Sequence, residues 1–125
     1  MAKAPKKQRA PRTRGAGHLT EAGFWGFIRS GLRSKFMRWW PRYEVLRQAR
    51  RKSQSTNLRL KWEFLCSHCK GWFAQKEVEV NHKIACGSLR SYADLPGFVE
   101  RLFVEKEGLE VVCKPCHLTH TQETP

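Results

Sequence analysis

Four of the five cysteines fall in two close pairs, Cys66-Ser-His-Cys69 and Cys113-Lys-Pro-Cys116. A Cys-x-x-Cys turn offers two sulfurs at a suitable bite for zinc, and two such turns complete a tetrahedral thiolate site with no position left open for substrate. Cys66, Cys69, Cys113 and Cys116 are therefore expected to hold a structural Zn2+. Two disulfides, or a redox role for one pair, are the competing readings, and His68 could replace one sulfur. Cys86 is left over and fits a small buried apolar residue. Two histidines stand in marked places: His82 ends the run Val78-Glu-Val-Asn-His82 between the pairs, and His117 directly follows Cys116. An imidazole with a pKa of about 6.5 can accept a proton at cellular pH or bind a metal ion.

Short elements must position these groups. Leu58, Leu60, Trp62 and Phe64 alternate with charged residues, the two-residue period of a half-buried strand entering the first pair. Gly71 permits the turn of a zinc knuckle, and Trp72-Phe73 closes over it. Val78 and Val80 alternate with polar residues in a second strand that ends at His82. Pro96 to Glu105 suits a helix with Pro in its first turn. Leu109, Val111 and Val112 make a strand entering Cys113, and a last helix begins near Pro115 and carries His117 and His120. Upstream, Phe24, Phe27, Ile28, Leu32 and Phe36 recur at helical steps with Arg29, Arg33 and Lys35 off that stripe, and Thr20 is placed to cap the helix. Pro41 should interrupt the helix, leaving a second, more polar one over Tyr43 to Lys52 and a polar linker over Ser53 to Asn57. Most of the aromatic rings are expected in the core.

Charge divides the chain. Residues 1 to 65 carry 17 Lys and Arg against three acids, whereas residues 66 to 125 carry 7 against 8. With a pI near 10.1, the front half should attract polyanions, and DNA is the expected partner, with Arg29, Arg33, Arg50 and Arg51 on its phosphates. An anionic membrane surface is the competing partner, and no run is apolar enough to cross a bilayer. No apolar core follows the basic start, so a secretory leader is not expected and the cytoplasm is the expected compartment. Three regions follow: a disordered basic arm over 1 to 18, a basic helical extension and linker over 19 to 57, and a zinc-bound domain over 58 to 125.

That last region resembles the HNH endonuclease family, and more narrowly the small HNH-type proteins of tailed bacteriophages. The resemblance rests on Cys66-x-x-Cys69, Val78-Glu-Val-Asn-His82, Gly87-Ser-Leu89, Leu95-Pro-Gly-Phe-Val-Glu-Arg-Leu-Phe103 and Gly108-Leu-Glu-Val-Val-Cys113-Lys-Pro-Cys116-His117, about half the chain. It implies a small α+β fold with a zinc-stabilised ββα-metal core, and hydrolysis of DNA phosphodiesters with a divalent ion. His82 falls on the family's general base and His117 on its closing ligand for the catalytic ion, Mg2+ or another divalent cation, with Asn81 orienting or weakly binding that ion. Asn81 stands where the family commonly has Asp, and Gly108 stands at the aligned place of its middle asparagine. Lys83 replaces a frequently apolar residue, and His120 a commonly basic one. The alternative is a non-catalytic zinc-containing module that binds nucleic acid. Monomer and homodimer both fit, and cutting of two strands by so small a site would favour a pair of chains.

Overall fold

The computed structural model describes residues 9 to 123; residues 1 to 8 of the expected basic arm, and residues 124 and 125, lie outside the described residues. The described residues form a small α+β fold with four α-helices, α1 (Glu21–Phe36), α2 (Trp40–Ala49), α3 (Leu95–Leu102) and α4 (Lys114–Glu123). Strands β1 (Arg50–Lys52), β2 (Trp62–Leu65) and β3 (Trp72–Phe73) form one antiparallel sheet in that order, and β4 (Val78–His82) pairs with β5 (Leu109–Cys113) in a second.

Thr20 caps α1, its hydroxyl oxygen accepting from the Gly23 N–H at 3.0 Å. The core face of α1 carries Phe24, Ile28, Leu32 and Phe36 as the sequence leads one to expect, but Trp25, 2% exposed, joins it, while Phe27 is 67% exposed. Trp25 is accommodated because its indole N–H donates to Glu21 Oε1 at 3.0 Å, which satisfies its polar atom while the ring is buried. Pro41 sits in the first turn of α2, where its missing N–H costs nothing, so the helix restarts three residues after α1 ends.

The extension and the zinc region pack together in two shared apolar clusters. Trp25 and Phe36 of α1 cluster with Leu89, Phe98, Leu102 and Leu109, and Leu46 of α2 clusters with Phe64, Val78 and Val111. The α2 segment does not run to Lys52 as a helix: residues 50 to 52 pair with β2, in the register Arg50 to Phe64 and Lys52 to Trp62. The polar stretch from Ser53 to Asn57 thus lies in a hairpin connection. Its side chains accept from nearby main-chain N–H groups, as in Asn57 Oδ1 to Arg59 N at 3.1 Å, a local alternative to ladder bonding. Residues 58 to 61 consequently stay out of the strand, and Leu58 is 95% exposed. The described end of the arm is also tied down. Arg14 and Leu19 form a β-bridge, and Arg14 lies over the Phe24 ring at 4.6 Å while its Nε donates to Glu21 Oε2 at 2.9 Å.

Candidate functional site

The sulfurs of Cys66, Cys69, Cys113 and Cys116 all lie within 4.8 Å of one another, the arrangement a tetrahedral zinc requires. Two turns deliver them. Lys70 takes the left-handed conformation, φ 63°, and its N–H donates to the Cys66 carbonyl at 3.0 Å, so the knuckle closes at Lys70 rather than at Gly71. Gly71 is needed for space instead, since a Cβ there would come 2.9 Å from the Phe73 ring. The second pair lies where β5 passes into α4, and the Ser67 N–H donates to the Val111 carbonyl at 2.8 Å, which joins the knuckle to that strand.

The cluster is electrostatically uneven. Burial opposes ionisation of Cys66, but the main-chain N–H groups of Cys69, Cys113 and His68 outweigh it and bring its thiol down to about 6. The neighbouring Cys113 sulfur, together with burial, pushes Cys116 up to about 12. One thiolate at neutral pH beside the raised thiols of Cys113 and Cys116 suits a site completed by a cation, and the four residues fit a zinc ion on donor type and spacing. His68 is not among the ligands: its Nε2 lies 2.9 Å from Glu110 Oε1. Cys86 is 8% exposed, and burial raises its thiol.

Alternation along β4 sends its residues to two faces. Val78, Val80 and His82 oppose Cys113, Val111 and Leu109, whereas Glu79 and Asn81 oppose Val112 and Glu110. His82 rests against Phe36, with ring centroids 4.6 Å apart, and its Nε2 lies 2.8 Å from the Leu102 carbonyl oxygen. A carbonyl can only accept, so Nε2 carries the proton and Nδ1 is the basic nitrogen of the neutral ring. Lys83 N donates to the Gly108 carbonyl at 2.9 Å, which extends the ladder past His82 and braces the residue after it. His117, on the first turns of α4, has Nδ1 2.6 Å from Glu79 Oε2. Asn81 donates from Nδ2 to Glu110 Oε1 at 3.2 Å.

His82, Asn81 and His117 line one open groove of about 810 Å3, together with Arg33, Arg42, Lys76, Lys83 and Lys114. Arg33 is thus the one of the four expected phosphate-binding arginines that reaches it. Arg29 lies outside the groove lining, Arg50 stacks on Trp62 at 4.0 Å, and Arg51 stacks on Trp72 at 3.8 Å with Nε 3.3 Å from Glu63 Oε1. Arg42, Lys76, Lys114 and the acids Glu79 and Glu110 were not singled out by sequence reasoning. Glu79 was accessible to it, being two residues before Asn81 and so on the same strand face, but the pairing of Asn81 with Glu110 depends on register. Among the described residues, the four cysteines are the one group of three or more His, Cys, Asp or Glu with ligand atoms gathered together. No helix there is long and apolar enough to cross a membrane.

Comparison with protein-family models, with curated proteins and with solved structures found no match.

Proposed function

We propose that this chain is an HNH-type endonuclease that hydrolyses DNA phosphodiester bonds with a divalent metal ion, and that its cysteine cluster holds a structural zinc. The observation that carries the reading is the shared groove: His82 and His117 line one cavity whose other walls bring five cationic side chains. Phosphates are drawn by that charge, and Arg33, Arg42, Lys76, Lys83 and Lys114 hold the backbone without reading bases. His82 acts as general base through Nδ1, and the Leu102 carbonyl, accepting from Nε2–H, fixes the tautomer and favours the imidazolium that forms. His117 and Asn81 are the residues to hold the catalytic Mg2+ or similar ion, which when bound stabilises charge on the phosphoryl and leaving oxygens. The antiparallel β4–β5 pair followed by α4, with the zinc cluster at the junction, supports a ββα-metal core.

Supercoiled plasmid incubated with zinc-loaded protein and Mg2+ or Mn2+ tests the reading. Nicking by the wild type that is lost in His82→Ala supports it. Equal nicking by both, or DNA binding with no nicking in either metal, overturns it, and the latter leaves a zinc-containing nucleic-acid-binding module.

A further inference from the structure

We propose that Glu79 is the carboxylate ligand of the divalent ion in this groove, acting with His117, an inference that rests on the nuclease reading and deepens it. A hard dication prefers carboxylate oxygen, and the pair His117 and Asn81 supplies only an imidazole and a neutral amide. Glu79 is the single acid among the described residues lining the groove, set among five cationic side chains. Its Oε2 already meets His117 Nδ1 at 2.6 Å, and both side chains remain partly open, 42% and 36% exposed. It shares a strand face with Asn81, two residues on.

The surroundings of Asn81 explain why the charge resides at 79. The Asn81 NH2 is taken by Glu110, whose carboxylate also accepts from Ser67 Oγ at 3.2 Å and contacts His68, and which does not line the groove. With the amide nitrogen donating to Glu110, the oxygen of Asn81, a lining residue of the groove, is the atom of that side chain able to act as a neutral donor complementing Glu79. A carboxylate at position 81 would instead meet that of Glu110. Three protein donors suffice for Mg2+ or Mn2+, which keep several waters and take further oxygens from phosphate.

The test is Mn2+ titration of the full-length, zinc-loaded protein by electron paramagnetic resonance, with zinc content measured in each sample. Glu79→Gln is expected to lower Mn2+ affinity at least tenfold, with zinc retained, while Glu77→Gln, on an exposed residue outside the groove lining, leaves it unchanged. Glu79→Asp keeps the charge and is expected to bind Mn2+ more tightly than Glu79→Gln, which guards against a general folding effect. Mn2+ affinity in Glu79→Gln within twofold of wild type, or equal losses in Glu79→Gln and Glu77→Gln, overturns the proposal. Plasmid nicking separates the two levels. If Mn2+ binding depends on Glu79 but wild type cuts nothing, the ion site stands and the nuclease reading fails; if wild type nicks DNA and Glu79→Gln binds Mn2+ and nicks equally, the nuclease stands and Glu79 is not its ligand.

Discussion

The His82 ring is held from two sides, by the Leu102 carbonyl 2.8 Å from Nε2 and by the Phe36 ring with centroids 4.6 Å apart. Leu102 ends α3 and Phe36 ends α1, so helices from both halves of the chain aim one imidazole. Removal of a general base typically costs about 10²- to 10⁴-fold in rate. His82→Ala is expected to lose that much nicking activity while retaining DNA affinity. Phe36→Leu, which loosens the ring without removing the imidazole, should give a smaller loss, and gel-based rates with parallel binding measurements check both.

The thiols give a second prediction. In the metal-free protein Cys66 is the thiolate, at about 6, while Cys116 is pushed up to about 12 and burial raises Cys113. Thiolate absorbance near 240 nm should therefore show an ionisation step near pH 6 that Cys66→Ser removes. The sign for folding follows: a thiol lowered from 9.0 to about 6 contributes stability above pH 9 that is lost as pH falls toward 6. Zinc uptake at pH 7 should release protons, drawn from the raised thiols of Cys113 and Cys116. Alkylation should be slow at all five cysteines in the zinc form. After chelation Cys66, the thiolate, should react ahead of Cys86, Cys113 and Cys116, whose raised thiols stay protonated.

Spacing made the cysteine cluster legible, because ligand geometry is local and two Cys-x-x-Cys turns express it within four residues each. The β4 and β5 strands, the Thr20 cap and the restart at Pro41 were legible for the same reason. Tertiary choices were not. Phe27 and Trp25 both fit a helical stripe, and only the pocket formed with Phe98 and Leu89 selects the tryptophan. Strand β1 is three basic residues, Arg50 to Lys52, with no apolar alternation; its partner β2 and the rings of Trp62 and Trp72 make it a strand. Glu79 could have been found from its place two residues before Asn81 on one strand face, but the contact of Asn81 with Glu110 was hidden by register, since nothing in the sequence sets the two opposite each other.

Trp25 carries the largest buried side chain of α1 and packs edge-on to Tyr92 at 4.8 Å. Trp25→Ala should destabilise the zinc-loaded protein by about 3–5 kcal/mol, the range for a large aromatic truncated in a packed core. Phe27→Ala, at an exposed position on the same helix, should fall within about 0.5 kcal/mol of wild type. Urea denaturation followed by tryptophan fluorescence and circular dichroism distinguishes them, and comparable losses would contradict the placement of the helix face.

DNA affinity should fall steeply with salt, because each neutralised phosphate contributes about −0.9 to the slope of log affinity against log salt. Arg33→Ala with Arg42→Ala should weaken binding on unrelated duplexes alike and flatten that slope by about two. Arg51→Ala should leave the slope near wild type, since its guanidinium is engaged with Trp72 and Glu63. Fluorescence anisotropy across a salt series measures all three.

Asn81 and Glu110 face each other across the strand pair, and the neutral Asn81 amide donates to the Glu110 carboxylate at 3.2 Å. Burial alone would raise the Glu110 carboxyl, but hydrogen bonds from His68, Asn81 and Ser67 outweigh it and hold the group below its ordinary range, so it is ionised at neutral pH. Asn81→Asp puts a second carboxylate beside it. Unit charges about 4 Å apart repel by about 1–4 kcal/mol at effective dielectrics between bulk water and a protein surface. Asn81→Asp should therefore lose stability at pH 7, and adding Glu110→Gln should restore most of it, a coupling that a double-mutant cycle reads directly. A carboxyl with a lowered folded pKa contributes stability that is present above its unfolded value and lost as pH falls through the folded one. The stability gap between wild type and Glu110→Gln should thus be full at neutral pH and close through the carboxylate range, with acid-driven zinc loss common to both. An Asn81→Asp protein as stable as wild type, or a double variant no better than the single one, would show that the two side chains do not share this contact in solution.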